Sequence, residues 1–171
     1  MKKIIFVLCV TMIFIFSTAG AVFAETTTAS DNKPIDSETA QFIKGDWKVK
    51  TFLGFQMITE EDDSFPDGDK ILGKVVIVAP NLFSTRDFAP EYEEYVVDMW
   101  WWHYNIVDEL SGEAFTAKYN VSQDVTKIKN SDQVIVIQAE SEDGSLSELL
   151  LIDINHERLL LYMNCGYFEL E

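Results

Sequence analysis

Trp100-Trp101-Trp102-His103-Tyr104 is the densest aromatic run in the chain, and its residue types suit recognition more than bond-breaking. Side chains alternate along an extended strand, so Trp100, Trp102, Tyr104 and Ile106 share one face while Trp101, His103, Asn105 and Val107 share the other. A face of rings with polar tips fits an apolar or ring-bearing small molecule, and such faces can stack sugars. The same rings would equally serve to fill a small β core. Phe55 and Phe115, on other expected strands, complete the candidate lining.

Spacing argues against most reaction chemistry, so no enzyme, no metal and no cofactor is expected. His103 and His156 are far apart in sequence, without the paired spacing that holds a transition metal. The acids of Glu60-Glu61-Asp62-Asp63 and Asp67-Gly68-Asp69 invite a calcium reading. Counted from Asp63, however, an EF-hand would have Phe65 and Lys74 where carboxylates belong. No Gly-x-Ser-x-Gly elbow, phosphate loop or dinucleotide fingerprint occurs. Glu93 and Glu94 are adjacent, and on a strand they would point to opposite faces instead of flanking a sugar together.

Residues 1–24 read as a secretory signal: Lys2 and Lys3, an apolar run from Ile4 to Phe16, then small residues, with cleavage expected after Ala24. The run is shorter than the roughly 20 apolar residues that span a bilayer, so no membrane span is expected once it is removed. Loss of Lys2 and Lys3 would take the net charge from −16 to −18. Such a surface repels phosphate backbones, which sets nucleic acid aside as a partner. Cys9 would leave with the signal and Cys165 would remain alone, so no intrachain disulfide is expected.

Residues 25–40 are polar and rich in Thr and Ser, the composition of a flexible spacer, with one short helical turn expected over 37–44. Residues 41–171 form one expected domain. Trp47, Val49, Thr51, Leu53 and Phe55 alternate with polar residues as a strand does. Thr59 to Lys70 reads as an acidic surface loop. Further strands are expected at 75–79, 96–107, 114–119, 125–129, 134–139, 146–154 and 159–163, with 167–170 continuing or pairing separately. Many short strands with turns between them give an all-β fold, a sandwich or an antiparallel up-and-down barrel of about eight strands.

Gly45-Asp46-Trp47 opens the first long strand just after the helical turn, and this arrangement resembles the lipocalin (calycin) family. The resemblance rests on Gly45 and Trp47 as motif residues and on the order of elements over roughly residues 42–170. It implies a closed barrel whose end is plugged by Trp47, with Arg158 as the candidate to pack across the indole. It also implies an acidic loop leaning over the open end. The expected function is a secreted, monomeric binding protein that sequesters a small, at least partly apolar ligand. The alternative is an exported acidic module with a filled barrel, an inhibitor or immunity-type factor aimed at a basic protein.

Overall fold

The computed structural model describes residues 33–56, 68–90, 93, 96–100, 102–144 and 147–171. Expectations for residues 1–32, for the loop over 57–67 and for Trp101 lie outside the described residues, as do those for the side chains of Asp98, Met99 and Trp100.

Most of the described chain is antiparallel sheet. The strands are β1 (Lys33–Pro34), β2 (Gly45–Phe55), β3 (Val75–Ala79), β4 (Leu82–Ser84), β5 (Asp98–Trp100), β6 (Trp102–Ser111), β7 (Gln133–Ser141), β8 (Ser147–Asp153), β9 (Arg158–Met163) and β10 (Gly166–Leu170). Their order in the sheet is β1-β6-β7-β8-β9-β10-β2-β3-β4-β5. One residue separates β5, at one edge, from β6, next to the other edge, so the sheet curls back toward itself. The phenol of Tyr104 in β6 crosses that gap and donates to the carbonyl of Leu82 in β4 at 2.8 Å.

The sheet begins at Lys33, inside the stretch that composition assigns to a spacer. Lys33 and Pro34 pair with Ile106 and Asn105, at an edge where proline's missing N–H is tolerated. Helix α1 (Ser37–Ile43) follows, its first turn capped by Asp36, whose Oδ1 accepts from the Thr39 N–H at 2.8 Å.

Neither of the strands expected at 114–119 and 125–129 forms: the first lies within a helix, and only Val125 and Thr126 of the second are helical. Residues Gly112–Tyr119 form α2 and Gln123–Thr126 form α3. The reason is local. Ser111 accepts from Ala114 N–H and Ser122 from Asp124 N–H, so each serine acts as a helix cap where a hairpin turn or plain loop was expected. Asn120 and Lys127 then adopt left-handed backbone and end the two helices.

These helices give the sheet a second buried face. The inner face gathers Val49, Val76, Val78, Phe83, Trp102, Ile137, Leu150, Ile152, Leu159, Leu161 and Phe168 in one cluster. The outer face sets Val134, Val136, Leu151, Leu160 and Tyr167 against Phe115, Val121 and Ile128 from the helical segment. Strands β8 and β9 are therefore buried on both sides, and Leu149-Leu150-Leu151-Ile152 and Leu159-Leu160-Leu161 are unbroken apolar runs for that reason.

Candidate functional site

A cleft of about 450 Å³ opens beside the curl of the sheet, between α1 with the end of β1, the β3–β4 turn, and the start of β6. Ile35, Ala40, Ile43, Val78, Trp102 and Tyr104 give it an apolar lining, and Lys44, His103, Asn105 and Glu140 stand among the polar residues around it. Backbone bonds hold its walls. Trp102 N–H donates to Asn81 O at 3.3 Å, and Ile35 N–H donates to Tyr104 O at 3.4 Å. His103 and Glu140 are direct cross-strand partners, which sets them side by side on the outer surface.

Trp102 and Tyr104 are both buried on the inner face. The Trp102 ring packs on Phe83 with centroids 5.2 Å apart. Its Nε1 is buried and has no hydrogen-bond partner among the described residues, an arrangement that costs about 1–3 kcal/mol. Burial holds the Tyr104 phenol far above its ordinary pKa, so it remains a donor to Leu82.

The other expected lining residues do not all join this pair. Phe55 meets Phe52 edge-on at 4.8 Å, and Phe52 in turn packs on Phe168 of the inner cluster. Phe115 belongs elsewhere. It sits in α2, in the outer cluster, because Ser111 starts a helix there. Trp100 contributes its backbone to β5 opposite Leu82, and its side chain lies outside the described residues.

Trp47 is half-buried against the inner cluster, and its Nε1 donates to Ile43 O at 2.7 Å. Phe42 lies 6.4 Å away, and a Cβ on Gly45 would come within 3.3 Å of the indole nitrogen. Gly45 and Trp47 thus dock α1 on the sheet. Arg158 does not cross the indole. It pairs with Asp153 at 2.7 Å and Glu169 at 3.3 Å, and donates to Thr126 O, all on the outer face. Leu159 and Leu161 point inward from the same strand, and alternation sends Arg158 the other way.

Two clusters went unnoticed in the sequence. Asp132, Asp153 and His156 bring one ligand-type atom each within 4.8 Å of one another. His156 Nδ1 is 3.0 Å from Asp153 and 3.6 Å from Asp132. A cation added here would share Asp153 with the Arg158 guanidinium, so the donor set fits an ion-pair network better than a metal. The second is Glu148. It pairs with Ala139 across the ladder, on the same face as Leu150 and Ile152. Burial pushes its carboxyl up to about 8.

The sign of that shift fixes a pH dependence. Between pH 4.5 and about 8 the unfolded chain ionises Glu148 while the folded chain keeps it protonated. The unfolded state then binds fewer protons, so stability falls as pH rises through this window and levels off above it. The expected loss is about 2–4 kcal/mol. Urea midpoints across pH 5–9 for the wild type and Glu148→Gln measure it. Parallel pH profiles for the two would show that Glu148 is not the group responsible.

No family model, curated protein or solved structure gives a match to this chain.

Proposed function

We propose that this chain is an exported, lipocalin-like binding protein that sequesters a small, partly apolar ligand in the cleft beside β6. The observation that carries this reading is the cleft itself: about 450 Å³ walled by Trp102, Tyr104, Ile43 and Val78. That volume falls within the usual range for small-molecule sites, and an apolar lining with a few polar groups is the usual composition. A ligand that buries about 200 Å² of apolar surface there would gain roughly 5 kcal/mol before the costs of association. A net charge of −16 favours neutral or cationic ligands over anions.

Support for the family reading is the Gly45-x-Trp47 strand opening, the indole facing the inner cluster, and a sheet that curls from β5 into β6. A closed barrel and secretion after Ala24 belong to this proposal. The mechanism is sequestration, with the rings of Trp102 and Tyr104 holding water away from the bound molecule.

A titration with neutral aromatic probes such as 1-aminoanthracene tests the reading. Saturable binding at one site, with an affinity on the order of micromolar, is expected. A flat response across neutral aromatics, fatty alcohols and sugars would contradict it.

A further inference from the structure

Of the two rings that wall the cleft, Tyr104 has its polar tip satisfied and Trp102 does not. The Tyr104 phenol donates to Leu82 O at 2.8 Å. Trp47 offers a second contrast, since its Nε1 donates to Ile43 O at 2.7 Å. Trp102 is only 1% exposed, and its Nε1 has no acceptor among the described residues. An indole nitrogen can donate but not accept. Buried donors are paired in the great majority of cases, so an exception beside a cleft calls for a specific reason.

The fold holds the residue in place around this donor. Trp102 pairs with Ser141 of β7 on one side, and its N–H donates to Asn81 O on the other. Phe83 packs on the ring with the planes tilted by 45°. Ile43 and Val78, which share the cleft wall and the inner cluster with Trp102, carry no side-chain acceptor. Backbone carbonyls around the cleft are already engaged. Leu82 O accepts from Tyr104, Ile43 O from Trp47, Asn81 O from the Trp102 amide and Tyr104 O from the Ile35 amide. The acceptor that the indole lacks is therefore one that a bound molecule can bring.

We propose that Trp102 Nε1 sets the specificity of the cleft, and that the ligand is a neutral, ring-bearing molecule with a carbonyl oxygen that accepts from this indole. This inference rests on the reading of the cleft as a small-molecule site and names the chemistry of its ligand. Trp102 has almost no surface open to solvent, so the acceptor has to be a small atom at the end of the ligand instead of a bulky polar group. The apolar body then lies along Ile43, Val78 and Tyr104. A carboxylate is the wrong acceptor, because Glu140 stands at the same cleft and the chain carries a net charge of −16. A ligand without an acceptor leaves the donor unpaired, and a site with an unpaired buried donor discriminates against it.

Calorimetry with 1-indanone and indane tests it, since the two share one bicyclic skeleton and differ by a carbonyl in place of a methylene. The ratio of ketone to hydrocarbon affinity is expected to fall at least about tenfold from wild type to Trp102→Phe, which keeps a ring but removes the donor. A second readout needs no substitution. In wild-type protein labelled with 15N, the Trp102 indole N–H proton resonance should move downfield with 1-indanone and stay nearly in place with indane. Ring-current effects of the two compounds are alike, so the difference reports the hydrogen bond, and it decides the matter should Trp102→Phe fail to fold. An affinity ratio unchanged by the substitution, or a resonance that responds equally to both compounds, would overturn this inference and leave the cleft as a binding site. Absence of binding by either compound would overturn the inference together with the reading beneath it.

Discussion

Arg158→Ala is expected to lower stability by about 3 kcal/mol, while replacing Arg158 and Asp153 together costs less than replacing Arg158 alone. Asp153 is fully buried, and Arg158 meets it through both Nε and Nη2, at 3.2 and 2.7 Å. Removing the guanidinium leaves a buried carboxylate with the His156 ring as its remaining side-chain hydrogen-bond partner among the described residues. The same guanidinium reaches Glu169 and the Thr126 carbonyl, so its loss also loosens α3 from the sheet. A double change to apolar residues removes the stranded charge, and buried pairs replaced in this way are often close to neutral. Urea midpoints for Arg158→Ala, Asp153→Leu and the double variant Arg158→Ala/Asp153→Leu measure this non-additivity. Simple addition of the single effects would show that the residues are not coupled.

A larger loss is expected from Gly112→Ala. A Cβ on Gly112 would lie 1.9 Å from the Lys129 carbonyl oxygen and 2.9 Å from a methyl of Ile128. Backbone is the obstacle, so no rotamer change relieves it. The start of α2 and the 129–132 segment are pressed together, with Gly112 N–H donating to Asp132 O at 2.7 Å. Forcing them apart displaces Ile128 from the outer cluster and shifts Asp132 in the ion-pair network. The expected cost is about 3–5 kcal/mol. Gly73→Ala is the contrast. Gly73 has a φ of +77° but nothing within 4 Å of a new Cβ, so only the left-handed backbone penalty of roughly 1–2 kcal/mol applies. Similar melting temperatures for the two variants would refute the close-approach explanation.

Legibility in the sequence followed the strength of the physical signal. Alternation marked β2, and the β-branched runs marked β3 and β7, because one-sided burial and strand propensity write directly into residue order. The leucine runs of β8 and β9 carried a further message: a strand without alternation has both faces covered. The covering layer is α2 and α3, which take in residues 114–119 and 125–126 of the expected strands. Their apolar positions, Phe115 and Tyr119, are four apart and fit one helix face, but the segment is too short for periodicity to override a strand reading. Phe115 was misplaced with it.

The site was legible only in part. Trp102 and Tyr104 share a face by simple alternation, and both line the cleft. Ile43, Val78 and Ala40 meet them across the curl of the sheet, and pairing over that distance leaves no trace in local spacing. Arg158 points outward for a reason written two residues later, where Leu160 shares its side of β9 and the outer cluster. Glu148 was readable as well. It falls in phase with Leu150 and Ile152, and a charged residue on the buried phase of a strand signals either function or a partner.

The most direct test of the proposed binding site is calorimetric titration of a neutral aromatic ligand into wild-type protein and Ala40→Trp. Ala40 lines the cleft from α1 and is half-buried, so an indole there fills the cleft without entering either core. Affinity is expected to fall at least about tenfold, or roughly 1.4 kcal/mol, with little change in melting temperature. Unchanged affinity in a folded Ala40→Trp protein would place the ligand elsewhere and contradict the cleft as the site.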